Sequence, residues 1–180
     1  MAIEQIRLRL LKATAVLSTA GIPYAVIGGN AVAEWVGRVD SGAVRFTKDV
    51  DILLNRIDLL RAIVAMESAG FVYNETMGVH VFLDGADATP RDAVHLIFAD
   101  EKVRDEYEHP APAVHDAEPA VEFQVLSLEA LVRMKLMSYR RKDQVHLQDM
   151  LSVGLIDATW PAKLPALLAE RLTVLIDSPE

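Results

Sequence analysis

A four-residue apolar run, Tyr24-Ala25-Val26-Ile27, stops at the paired glycines Gly28-Gly29 and passes at once into Asn30 to Val36, which reads as a helix. The glycines therefore sit at a strand-to-helix turn, a junction that commits the residues on both sides to one packed sheet-and-helix unit. Around it the punctuation is regular. Residues 3 to 20 set Ile3, Ile6, Leu10 and Leu17 on one helical stripe that Gly21 and Pro23 end. Residues 37 to 48 form a polar loop carrying Arg38, Arg45 and Lys48, and it feeds a second strand through Val50, Ile52, Leu53 and Leu54.

The rest of the chain continues in the same way. Ile57 to Ala69 is helical by pattern and ends at Gly70; Phe71-Val72-Tyr73 and Val79 to Leu83 pair around Met77-Gly78; Asp84 to Pro90 is a loop; Ala93 to Phe98 is a strand. Pro110, Pro112 and Pro119 mark an irregular or extended segment, and Val121 to Leu126 closes the sheet. Helices are expected from Ser127 to about Arg141, from Asp143 to Val153 and from Pro165 to Ile176. The order predicts an α+β (α/β) fold, a mixed sheet flanked by helices. Residues 1–126 are expected to form the sheet domain, with 127–180 as a C-terminal helical extension packed on it in a single structural unit.

Composition narrows the chemistry. The chain has 180 residues and no cysteine, which excludes disulfides, thiolate zinc sites and cysteine nucleophiles. Its formal charge of −8 argues against a general nucleic-acid binder, unless a local strip of Arg38, Arg45, Lys48, Arg140, Arg141 and Lys142 overrides it. The N-terminal stripe is interrupted by charges, unlike a secretory or membrane-spanning segment, so a cytoplasmic protein without membrane contact is expected.

Asp49-Val50-Asp51 places two carboxylates on one face of the second strand. Two like charges that close call for a cation, and a hard oxygen pair suits magnesium with water and substrate phosphate completing its shell. The same spacing also describes a solvated strand-edge pair. Upstream, the Gly28-Gly29 turn offers backbone N–H groups and a helix N-terminus to phosphate oxygens. Arg45, Thr47 and Lys48 lie between the two. Phosphate cradle, cations and metal ligands then converge on a nucleoside triphosphate with magnesium or manganese.

At these residues the sequence resembles the polymerase-beta-like nucleotidyltransferase superfamily, marked by a Gly-Gly turn after a strand and Asp-x-Asp on the next. It is most similar to the minimal branch that includes abortive-infection-type nucleotidyltransferase toxins, through Gly28-Gly29-Asn30-Ala31 and Thr47-Lys48-Asp49-Val50-Asp51. Lys135, Arg140, Arg141, Lys142, Asp143 and Asp149 give a softer match in the later helices. The resemblance implies a nucleotidyltransferase fold and two-metal transfer of a nucleoside monophosphate. It also implies Asp49 and Asp51 as magnesium ligands, Gly28, Gly29 and Asn30 around the nucleotide, and Lys135 as a triphosphate contact. Lys135 is otherwise an exposed helix lysine.

One position departs from that pattern. Active members carry a third carboxylate on a later strand, where this chain has His95. Histidine takes transition metals or a proton near neutral pH and is a poor magnesium ligand, and on a half-buried strand it also serves as a hydrogen-bonded structural residue. Two readings follow: a nucleotidyltransferase acting on a hydroxyl of a protein, RNA or small molecule, or a catalytically impaired nucleotide-binding protein of the same fold. A toxin or antitoxin-like partner protein, and a homo-oligomer, are further expectations. Lys142, Asp143, His146 and Asp149 share a helix face, with Asp143 also a candidate helix N-cap. His80, His109 and His115 show no ligand spacing, and Trp35 and Trp160 are expected in packing roles.

Overall fold

A computed structural model describes residues 2–89 and 93–178. Pro90 and Asp92, at the ends of the expected loop and strand, lie outside the described residues. Strands β1 (Tyr24–Ile27), β2 (Val50–Leu54), β3 (Val72–Thr76), β4 (Val79–Leu83), β5 (Ala93–Phe98), β6 (Ala117–Pro119) and β7 (Gln124–Leu126) form one mixed sheet in the order β3-β4-β5-β2-β1-β7-β6. The β2/β5 and β1/β7 pairs are parallel and the other four antiparallel.

Side-chain alternation along the strands divides the core in two. Tyr24 and Val26 of β1, with Val50, Ile52 and Leu54 of β2, pack toward helices α1 (Ala2–Thr19) and α3 (Leu59–Ser68) through Leu10, Leu17 and Met66. Ala25, Ile27 and Leu53 face the other way. They meet α2 (Gly28–Gly37), α4 (Leu128–Ser138), α5 (Arg141–Ser152) and α6 (Ala166–Asp177) through Val32, Leu131, Leu136, Leu147 and Leu172. Register puts Asp51 opposite Ile27 on one side and His95 on the other, so the carboxylate stands on the face covered by α2 and the C-terminal helices.

The fold class is the expected mixed α+β sheet, and the local differences have physical causes. Helix α2 starts at Gly28, two residues early, because Gly28 adopts φ +69 and turns the chain straight into the helix. The strand expected from Val121 spans only Gln124–Leu126; its partner is the short edge strand β6, where Pro119 is tolerated because β6 pairs on one side only. The helix expected to run to Arg141 ends at Ser138. Tyr139 takes a left-handed φ of 47, and Arg140 begins α5 as its N-cap, with Asp143 as the third helical residue rather than the cap. Met77-Gly78 forms the β3-β4 turn with positive φ at both residues, the geometry that matches the twist of a two-residue hairpin. Trp35 serves packing and also donates its indole N–H to the Leu126 carbonyl at 3.0 Å, tying α2 to β7.

Leu53 is fully buried at the centre of the sheet beneath α2. Leu53→Ala is expected to lower the unfolding free energy by about 2–5 kcal/mol, read as a fall in the urea midpoint at unchanged slope.

Candidate nucleotide site

The site begins with two glycines that no other residue fits. A Cβ on Gly28 would fall on the Asp51 carboxylate, and one on Gly29 would lie 2.7 Å from the Thr47 Cβ and Oγ1 atoms. The α2 backbone is thereby pressed onto β2 and the segment before it. No side chain caps the first turn of α2, so its leading N–H groups are left to a ligand or solvent. Asn30 donates its side-chain N–H to the Asp49 carbonyl at 2.8 Å, and the Thr47 hydroxyl accepts from the Asp49 N–H at 3.3 Å. Asp49 is thus held through its backbone, independently of its carboxylate.

Asp49 and Asp51 line a cavity of about 750 Å³ together with Gly28, Gly29, Thr47, Lys48 and Lys135. Burial pushes the Asp51 carboxyl above its ordinary value and Asp49 adds to the rise, opposed by His95, Lys142 and Lys135. A crowded, partly desolvated carboxylate pair of this kind favours a bound cation. Lys142 already reaches Asp49, with Nζ 3.4 Å from Oδ2, and Arg45 grips Asp149 with Nε 2.8 Å from Oδ1. Both pairs latch α5 to the segment that leads into β2.

The opposite wall is built around a buried acid. Asp143 is fully buried and its Oδ1 accepts from Lys135 Nζ at 3.0 Å; its Oδ2 accepts from Ser138 Oγ and Arg140 Nε, each at 2.8 Å, and from the Arg140 N–H at 3.2 Å. Burial alone would raise this carboxyl, but Arg140, Lys135 and Ser138 outweigh it and hold it at about 2. Lys135, only 4% exposed, is pulled below its ordinary value by burial against the pull of Asp143. It is a cavity-lining buried lysine, in place of the exposed one that helix position alone allowed. His146 lines the same cavity with its Nδ1 buried and unpartnered, and burial, with Lys135 and the other nearby cations, lowers it to about 4.

Six basic side chains line the cavity, Lys48, Arg104, Arg133, Lys135, Arg140 and Lys142, against four carboxylates, Asp49, Asp51, Asp116 and Asp143. The hollow therefore carries a local positive excess on a chain of net charge −8.

No family model matches the chain, and no curated protein matches it. Solved structures do. The chain is similar to an antigenic nucleotidyltransferase-like protein from Paracoccidioides brasiliensis, at 17% identity and a TM-score of 0.61 over 98% of this chain and 89% of that one. It is also similar to the antibiotic-resistance factor ANT(2'')-Ia in solution, at 16% identity and a TM-score of 0.52 over 98% of this chain and 91% of that one. A crystal structure of ANT(2'')-Ia in complex with adenylyl-2''-tobramycin gives 19% identity and a TM-score of 0.51, over 92% and 91% of the two chains. The chain has the nucleotidyltransferase fold.

Within this nucleotidyltransferase fold the sequence-derived residues divide. Gly28, Gly29, Thr47, Lys48, Asp49, Asp51 and Lys135 share the cavity lining, whereas Asn30, Arg45 and His95 stand outside it. Asn30 and Arg45 act through Asp49 and Asp149, and His95 adjoins Asp51 across the β2/β5 ladder with its Nδ1 buried and unpartnered. Among the described residues no group of three or more His, Asp or Glu is arranged to hold a metal ion. None of their helices is long and apolar enough to cross a membrane. Sequence reasoning missed the cavity wall supplied by Val103, Arg104, Tyr107, His109 and Pro110. The proline-marked segment folds back when the Ala111 N–H bonds to the Glu101 carbonyl at 2.8 Å.

The lowered values of His146 and Asp143 give the same pH sign. Between the ordinary histidine value of 6.5 and about 4 the unfolded chain binds a proton at His146 that the folded protein refuses, so stability falls as pH drops through that window. Asp143 adds a second loss as pH falls from 3.8 toward 2. Urea midpoints measured from pH 7 to pH 4 are expected to decline in the wild type and to flatten in His146→Gln.

Proposed function

We propose that this protein binds a nucleoside triphosphate as its magnesium or manganese complex and transfers the nucleoside monophosphate to a hydroxyl group. The observation that carries the reading is the Asp51 carboxylate packed on Gly28 at the start of an uncapped helix, inside a cavity whose far wall presents Lys135 and Arg140. The donors fit a hard cation: two carboxylates, with phosphate oxygens and water for the remaining positions. Asp49 and Asp51 would hold that ion, which when bound neutralises phosphate charge.

The protein's own groups account for the rest. The free N–H groups of α2 and the cations of Lys48, Lys135 and Lys142 suit the triphosphate, and the buried Asp143 fixes the position of Lys135. In the transfer the acceptor oxygen bonds the α-phosphorus, and the bond from that phosphorus to the bridging oxygen breaks. Pyrophosphate leaves with the electron pair, and the hydroxyl proton passes to solvent. The adenylylated tobramycin held by ANT(2'')-Ia supports small hydroxylated molecules as the first acceptors to try. A second reading, a nucleotide-binding protein without turnover, is favoured by the histidine beside Asp51.

Calorimetric titration of the four nucleoside triphosphates with magnesium or manganese tests the site. Metal-dependent binding is expected in the wild type and at least about tenfold weaker in Asp51→Asn, a loss of ~1.4 kcal/mol or more. Undiminished binding in the variant would falsify the ligand assignment. Pyrophosphate release with an acceptor panel then separates the two readings: turnover abolished by Asp49→Ala supports transfer, and tight binding without release supports the binding protein.

A further inference from the structure

Sites that work with two divalent ions set them about 3.5–4 Å apart, and both ions need oxygen donors from the protein. Here both available carboxylates, Asp49 and Asp51, come from the entry and start of a single strand. A second ion beside Asp51 would draw on a further oxygen donor, and at the adjoining position of the neighbouring strand the parallel register places His95. His95 offers an imidazole, is absent from the cavity lining, and keeps a buried Nδ1 without a partner. Imidazole is a poor substitute for oxygen around a hard ion.

No other carboxylate of the cavity takes its place. Asp143 is consumed by Lys135, Ser138 and Arg140. Asp116 is engaged elsewhere, its Oδ1 3.8 Å from His115 Nε2 and its N–H bonded to the Ala113 carbonyl. Fixed cations already act on this acidic pair, with Lys142 3.4 Å from Asp49 and both Lys142 and Lys135 opposing the rise of Asp51.

Resting on the reading of the cavity as a triphosphate site, we infer that it takes a single divalent cation, held by Asp49 and Asp51, and that His95 denies a second. The protein's lysines and Arg140 supply the charge that a second ion would bring.

Manganese counting by electron paramagnetic resonance tests this on the full chain, alone and with the α,β-methylene analogues of ATP, CTP, GTP and UTP. Retention of each radiolabelled analogue is measured separately by equilibrium dialysis. One ion per protein is expected in the wild type and none in Asp51→Asn. His95→Asp is expected to bind two, with the line broadening of a coupled pair. Two ions in the wild type, or none in either arm, overturn the inference, and a single ion in folded His95→Asp overturns the part given to His95. Should that variant fail to fold, the wild-type count decides alone. One ion bound with no analogue retained leaves the count standing and removes the triphosphate reading instead.

Discussion

The contact between the Gly28-Gly29 backbone and the Asp51 and Thr47 side chains is the constraint on which the site depends. It exists because β1 and β2 pair with Ile27 opposite Asp51, so the chain leaving β1 must pass directly over the carboxylate. Any Cβ would separate the two surfaces, lifting the helix from the sheet and moving its unpaired N–H groups away from the acids. Asn30 and Trp35 reinforce the contact further along α2, one through the Asp49 carbonyl and the other through the Leu126 carbonyl. Helix, acidic strand and β7 therefore move as one piece.

The second organising element is the Asp143 cluster at the elbow between α4 and α5. Burying a carboxylate is costly, and it is sustained here because donors from three residues, Lys135, Ser138 and Arg140, surround it. Tyr139 adopts its left-handed conformation at this elbow, donates its hydroxyl to the Arg171 carbonyl and lies beneath the Arg171 guanidinium. Strain in the turn is thus offset by contacts from α6. The same elbow orients Lys135 and Lys142 toward the acids of β2, so C-terminal helical packing and the electrostatics of the cavity are one problem with one solution.

Much of this was legible in the residues and some was not. Apolar runs bounded by glycine or polar residues gave β1, β2, β4 and β5 nearly to the residue, and the glycine pair and acidic pair pointed to residues that do share a cavity. Strand β6 escaped because three residues ending in a proline carry no periodicity, although its antiparallel partner β7 follows closely in the chain. The break at Tyr139 escaped because a non-glycine left-handed residue has no sequence signal of its own. The burial of Asp143 and Lys135 was invisible for a related reason. Spacing identifies a helix face, but only the packing of α6 and the 103–110 segment against it decides whether that face meets water.

The uneven charge of the molecule has a bearing on what can approach it. A small polyanion entering the cavity experiences mainly the basic lining, within a distance comparable to the screening length of roughly 8 Å at physiological salt. A long polyanion entering the same hollow must also drape over an exterior that carries the negative balance of a −8 chain. Under the proposed reading, this contrast makes the cavity an electrostatic gauge of length that favours compact phosphates over extended ones.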